Sequence, residues 1–560
     1  MVIPDLEGDP RSRRWSVFLA SARPPRVPVR YIIAVISLIS SFFAFASRSV
    51  LDDSIPYMIP NHEKILFLSK NCSTHSSSQS YEIISSEYSN SSHKLENISS
   101  LIFDTNNHSS SCNFNDLLGA ELYDWTERER THILASYYYG YTVASSIAGR
   151  YTERLHLIHF TAIAHLSSIL ITLLTPTFAG LGVWPLSMVR ILLGISHAPI
   201  LPALYVLFVR WFPRFELSTV LALIFVGANC GTALMKPLAG LMSVREIWGG
   251  WSNAFYIVAV LHMIFLFPWC FYVTPDPEEH PQISEYELRF IQKYARSNQH
   301  RMIDELDWKS MVICKELWVL IIAIGASSFG YSVMTGQIPH YLAIFFGVSA
   351  QNNGNISIVM FAAICISLLI CGPSSDWLIK RRIFLPTKIR KIFETGTLLV
   401  PSICLFLIPL IPREEKIMAI TLSILAMIGL GMMSGSEIPI SCEMAPNMIG
   451  TIIGLTQTSA SFSSLFAPIL NHILTNNFKS DSTSNEPWFI LFYITGSILV
   501  CGLMLFWALA SSNLQNWSIA PRRCSSMVTV ASIEMPESTR YRLWFHKKKH
   551  RLSEQNLVTR

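Results

Sequence analysis

About twelve times between Tyr31 and Ala510 the chain runs apolar for close to the roughly 20 residues that a helix needs to cross a hydrocarbon core. Runs of this length dictate the fold class. In lipid every backbone amide must be satisfied inside its own helix or a closed barrel, and these runs are far too long for barrel strands. The expected spans are 30–59, 131–149, 156–175, 183–209, 218–242, 253–273, 316–341, 355–372, 392–411, 416–436, 449–474 and 488–510. Only 14% of the 560 residues are charged, against roughly 25% in soluble domains, and the deficit is spread along the whole length. The chain reads as an all-α polytopic membrane protein of twelve transmembrane helices. Met1 to Arg30 is arginine-rich and enters the first apolar run without a small-residue cleavage site, so it does not read as a cleavable signal.

Basic residues set the orientation. Arg11, Arg13, Arg14, Arg23, Arg26 and Arg30 precede the first span, Arg150 and Arg154 follow the second, and Arg210 and Arg214 follow the fourth. Lys380, Arg381, Arg382, Lys388, Arg390 and Lys391 lie between the eighth and ninth, and HKKKHR (546–551) lies in the tail. With twelve crossings all of these share one side, which puts both termini in the cytoplasm. The long loop on the other side, about 60–125, is rich in Ser and Asn and holds four glycosylation sequons, at Asn71, Asn90, Asn97 and Asn107. Two of the eleven cysteines, Cys72 and Cys112, share that loop and are a candidate disulfide.

A polar stretch from Thr274 to Asp307 divides the spans six and six. The second span ends in GRYTERL, with Gly149 followed four residues later by Glu153; the eighth ends in GPSSDWLIKRR, with Gly372 and then Asp376. The same spacing at equivalent places in both halves is what parallel six-helix pseudo-repeats predict. The expected organisation is a cytoplasmic segment 1–29, a first six-helix bundle 30–273 carrying the loop, and a central cytoplasmic loop 274–315. A second bundle 316–517 and a cytoplasmic basic tail 518–560 complete it. GANCG (227–231) and GMMSG (431–435) put small residues four apart, a spacing that lets helices approach closely.

Several motifs, colinear from Tyr31 to Trp517, resemble the anion–cation symporter family of the major facilitator superfamily, which includes sialin, the vesicular glutamate transporters and the type I sodium–phosphate cotransporters. LASYYYGY (134–141), VRILLGISHAPILPA with WFPRFELS, and GTALMKPLAG (231–240) are similar to that family's signatures. So are GGWSNAFY (249–256), EEHPQISEYE (278–287), YLAIFFGVSAQNNG (341–354), TKIRKIF (387–393), EMAP (443–446) and ASSNLQNW (510–517). The resemblance implies a twelve-helix major facilitator fold that moves a small anion by alternating access. It implies no cofactor, the drive coming from a proton or sodium gradient or from membrane potential.

The charged residues inside the spans carry the functional reading. An arginine within a span costs about 2.5–3.5 kcal/mol even on the lenient insertion scale, so Arg190 either snorkels to the interface or does work. The resemblance implies that it faces the central cavity and holds the substrate's anionic group, and a guanidinium fork suits a carboxylate or phosphate. SRSVLDDSIPYM (47–58) resembles the family's first-helix motif with Arg48 on its arginine, which implies a second anion contact. Asp52 and Asp53 depart from that motif, and both are candidate coupling carboxylates. Asp52, four residues after Arg48, is placed to pair with it, either as a coupling carboxylate or as a structural ion pair. His197 stands where the family has glutamate or glutamine, two turns from Arg190 on the same face, and is either a proton-coupling group or a hydrogen-bonded packing residue. Lys236 is expected to snorkel outward. Gly149, Glu153, Gly372, Asp376 and, from the motif around EMAP, Glu443 form the expected cytoplasmic gate.

The commoner nucleotide-loop, zincin and serine-hydrolase motifs are absent from the sequence, so no catalytic or metal-binding residue is assigned. The expected function is secondary active transport of a small organic anion, sialin-like and carboxylate-bearing, coupled to protons or sodium. Inorganic phosphate or glutamate transport by the same family, or a degenerate receptor that no longer transports, are the alternatives. The expected partners are a small anionic solute and the lipid bilayer, with no nucleic acid, in a vesicular, lysosomal or plasma membrane.

Overall fold

The structure, a computed structural model, describes residues 27–58, 123, 125–245, 250–295, 308–477 and 486–518. The four sequons, Cys72 and Cys112, nearly all of the segment 1–29 and the basic tail beyond Ser518 lie outside the described residues. Among those described, regular structure is entirely helical. The long helices of the first half are α1 (Val29–Met58), α2 (Glu127–Arg154), α3 (Leu157–Gly180), α4 (Val183–Trp211), α5 (Leu217–Arg245) and α6 (Ser252–Tyr272). Those of the second are α7 (Lys315–Phe346), α8 (Ala350–Lys380), α9 (Pro386–Leu407), α10 (Lys416–Met444), α11 (Ile449–Asn477) and α12 (Glu486–Leu509). Ten are long and apolar enough to cross a membrane; α2 and α11 are as long but more polar, and they pack on one another.

Local chemistry sets the ends and the breaks. At the start of α2 the Thr126 hydroxyl accepts from the Glu129 amide while the Glu129 carboxylate takes the Thr126 amide, a reciprocal cap that lengthens the helix beyond its apolar run. α4 breaks after His197, where Pro199 and Pro202 withhold the amides that would carry the ladder through. α10 loosens into a tighter turn over Met432–Gly435 before resuming at Glu437–Met444. Pro439 cannot donate to the Gly435 carbonyl four residues back. That carbonyl instead accepts from Arg390 at 2.8 Å and Ser375 at 3.3 Å.

The packing order repeats. In the first half α1 packs on α5, α2 on α4 and α3 on α6; in the second α7 packs on α11, α8 on α10 and α9 on α12. The halves meet through α2 against α11 and α5 against α8, a pairing that exchanges equivalent helices. Glycines permit these approaches: a Cβ on Gly227 would stand 2.2 Å from the Leu38 carbonyl oxygen, and one on Gly149 would stand 2.3 Å from that of Gly450. Lipid-facing rows follow the helical period, as Met188, Leu192 and Ile195 do on α4, while Val189, Arg190, Leu193 and Gly194 turn inward.

Backbone has no flexible end to move aside, so Gly149→Ala is expected to destabilise purified protein by about 1–3 kcal/mol. Gly354→Ala, whose Cβ would meet open space, is expected to be neutral or to stabilise by up to about 1 kcal/mol. Thermal unfolding of the two variants in detergent tests the contrast.

Candidate transport cavity

Both halves wall a central cavity of about 200 Å3. α1 contributes Phe45 and Arg48, α2 contributes Tyr137, Tyr138 and Tyr141, and α4 contributes His197 and Tyr205. Asn229 of α5, Ser327 and Tyr331 of α7, Glu437 and Ser441 of α10, and Gln457 of α11 complete the polar surface. Arg48 donates to the Tyr138 hydroxyl, and its guanidinium carbon lies 4.7 Å from the Tyr138 ring centre and 5.1 Å from that of Tyr137. Its Nε has no hydrogen-bond partner, and among the described residues no carboxylate forms an ion pair with it.

Arg190 is placed differently from the expectation. It lies on the inner face of α4 but is 1% exposed and does not line the cavity. One guanidinium nitrogen donates to Asp52 Oδ1 at 2.5 Å and the other to the Arg48 carbonyl at 2.9 Å. The expected Arg48–Asp52 pair is therefore replaced by Arg190–Asp52, although Asp52 remains within electrostatic range of Arg48. The reason is geometric: the break after His197 leaves the first part of α4 packed on α2 and α3, and from there Arg190 reaches across to the Arg48 carbonyl and the Asp52 carboxylate of α1 rather than into the cavity. Arg190 thus tethers α4 to the backbone of the cavity arginine.

Of the coupling candidates, His197 lines the cavity with both ring nitrogens engaged, by Tyr137 at 3.2 Å and Ser168 at 2.8 Å. Asp53 does not line it; Asp53 Oδ2 has no hydrogen-bond partner, and its cationic neighbour is Lys236. Lys236 holds Nζ 5.8 Å over the Phe361 ring of α8.

The gate residues form two matching joints between the halves. Glu153 accepts from the Thr451 amide and hydroxyl, both at 2.8 Å, at the start of α11. Asp376 accepts from the Ser218 amide at 3.2 Å and the Thr219 amide at 2.7 Å, at the start of α5. A carboxylate on a helix N-terminus satisfies orphan amides and meets the positive end of the dipole. The glycine one turn earlier lets the helices close: Gly149 against Gly450, Gly372 against Ser218. Glu443 lies at the same end, its carboxylate held by Arg390 Nη2 at 2.6 Å and Nε at 3.3 Å.

Four titratable residues escaped the sequence reading. His165 and His262 are fully buried and joined Nδ1 to Nε2 at 2.9 Å, with Ser40 2.8 Å from His165 and Ser47 3.4 Å from His262. Glu437 lines the cavity, and Glu394 lies fully buried behind it on α9. An acid within an apolar run is itself a signal. Glu437 stood one residue past the expected end of the tenth span, and Glu394 one residue past TKIRKIF.

The sequence pattern of the Major Facilitator Superfamily matches residues 38–468. Human sialin is 26% identical over 397 residues, covering 71% of this chain and 78% of sialin. A putative inorganic phosphate cotransporter of Drosophila ananassae is 27% identical over 436 residues, covering 72% of this chain and 89% of the fly protein. The proton:xylose symporter XylE, solved with 6-bromo-6-deoxy-D-glucose, superposes with a TM-score of 0.59 at 12% identity, covering 87% of this chain and 97% of XylE, a likeness of fold.

Breaking one side of an ion pair with a buried member strands a charge. Arg190→Met is expected to destabilise the protein by roughly 3 kcal/mol, with Asp52→Asn in the same chain restoring most of the loss, as read by thermal unfolding of the single and double variants.

Proposed function

The chain belongs to the Major Facilitator Superfamily, and on that premise we propose that it is a secondary active transporter of small organic anions, coupled to a proton or sodium gradient and working by alternating access. It is a membrane-embedded transporter; the substrate class rests on the cavity. One observation carries it: Arg48 stands on the cavity wall without an ion-paired carboxylate, while the neighbouring Asp52 is hydrogen-bonded to Arg190. Two guanidiniums and one nearby carboxylate leave one positive charge over, and an uncompensated charge in hydrocarbon is expensive unless a ligand completes it. The guanidinium fork fits a carboxylate or a phosphate.

Size and wall chemistry narrow the class. At about 200 Å3 the cavity falls below the roughly 300–1,000 Å3 of drug-sized sites, so it suits a small solute. Five tyrosines, Tyr137, Tyr138, Tyr141, Tyr205 and Tyr331, line it, more aromatic surface than a bare phosphate can use and well matched to an organic body bearing a carboxylate. The similarity to sialin and to phosphate cotransporters points to the same two anion classes. The repeated packing of the halves, which meet only through a few helices, supports rocking about the central site.

Purified protein in liposomes is expected to accumulate one member of a panel of sialic acid, glucuronate, glutamate, aspartate, urate and phosphate under an inward proton gradient, sodium gradient or voltage. Arg48→Ala is expected to lower uptake at limiting substrate by about 30-fold or more, since losing one partner of a desolvated charge contact costs about 2 kcal/mol or more. Undiminished uptake by Arg48→Ala overturns the assignment of the site. Folded wild-type protein that accumulates none of the panel under any drive moves the receptor reading ahead.

A further inference from the structure

At the cavity wall formed by α10 sits a pair of carboxyl groups, one lining the cavity and one behind it, that forms no ion pair among the described residues. Glu437 opens the last segment of α10, just after the turn that Pro439 helps create, and lines the cavity while only 3% exposed. The Ser327 hydroxyl lies 2.8 and 3.1 Å from its two oxygens. Glu394 on α9 is fully buried, with the Glu437 carboxyl and the Ser436 hydroxyl as its neighbours; Ser436 Oγ lies 3.4 Å from Thr397 Oγ1, one turn along α9 from Glu394, which sets the two helices side by side here.

Among the described residues, the surrounding elements form no ion pair with them. Arg390, one turn from Glu394 on α9, is saturated by Glu443, Ser218, Ser375 and the Gly435 carbonyl. Asp376 of α8 caps α5, Lys236 of α5 neighbours Asp53, and α4 presents Tyr205. Arg48 and His197 also face the cavity, and α7 adds Ser327 and Tyr331. On α11 the imidazole of His472 stands near the helix end.

Two carboxyls sharing a dry site cannot both ionise, and an unpaired carboxylate there costs several kcal/mol. We infer that the Glu394–Glu437 pair exchanges one proton through the central cavity, cycling between both carboxyls protonated and one of them ionised, and that this proton drives transport. The inference rests on the reading of the cavity as an anion-transport site. It also explains the coupling. An anion at Arg48 shares its cavity with Glu437, so an ionised Glu437 opposes anion binding and a protonated one permits it. By linkage, each ligand then raises the affinity for the other.

Infrared difference spectra of the full chain in liposomes, taken as pH is stepped, test the proton site without any substrate. The expected result is a protonated-carboxylic-acid carbonyl band that responds to pH, disappears in Glu437→Gln, and is shifted or lost in Glu394→Gln. Glu437→Asp and Glu394→Asp, which keep a carboxyl, are expected to retain a pH-responsive band, and they decide the matter if a Gln variant fails to fold. Identical bands in wild type and both Gln variants, or no responsive band, overturn the proposal. Uptake of the anion panel tests the drive. Coupling to one proton supports roughly tenfold accumulation per unit of inward pH gradient, because one unit is worth about 1.36 kcal/mol. That accumulation is expected to vanish in Glu394→Gln. Wild-type uptake driven by sodium and indifferent to the proton gradient overturns the coupling. A pH-responsive band in a protein that takes up none of the panel would leave the proton site standing and sink the anion reading instead.

Discussion

A charge inside hydrocarbon must find a partner, and the interior of this protein is arranged around how each one does. Arg190 takes Asp52, Arg390 takes Glu443, Glu153 takes the start of α11, and Asp376 takes the start of α5. Each of these tethers one helix to another, so the solution to a solvation problem is also a set of joints. Arg48 and the Glu394–Glu437 pair are left outside this scheme, and Arg48 and Glu437 both line the cavity. On the readings proposed above, these two exceptions are where a solute and an ion would bind.

The joints suit the rocking motion proposed above. Glu153 and Asp376 bind helix ends in the opposite half through charge-assisted bonds to backbone amides, not through large apolar contacts. Gly149 and Gly372 bring backbone within van der Waals reach at the same level. Each apolar core lies mainly in one half but takes a few residues from the other: Ile438, Cys442, Ile449 and Ile453 join the first, Ala222 and Val226 the second, so the contact between the halves is apolar as well as polar. Duplication of the joint at equivalent helices follows from the repeated packing order.

Much of this was legible in the sequence. Apolar run lengths specify helices, basic residues suggest a side, and the Gly-x-x-x-acid echo marks both joints. Partners across helices were not legible. Asp52 sits four residues from Arg48, so local spacing suggested that pair, but the choice between two arginines depends on the break in α4 and the approach of α1. Glu437 was missed for a related reason. The glycine-rich turn over Met432–Gly435 looks like the end of an apolar run, whereas Arg390 caps the carbonyl that Pro439 leaves open and the helix continues to Met444. A residue from another helix decides where that span ends.

The same reasoning separates the buried histidines from the carboxyls. His165 and His262 satisfy one another, with Ser40 and Ser47 at the outer nitrogens, and neither histidine lines the cavity. A neutral imidazole can rest in such a site indefinitely, since each ring offers one donor and one acceptor. A carboxyl has no neutral form without a proton. Burial that suits a neutral histidine disfavours two ionised carboxylates, and on the proposed reading it is the member of the pair that opens on the cavity that exchanges a proton with water. Glu437 meets both conditions; the histidine pair meets neither.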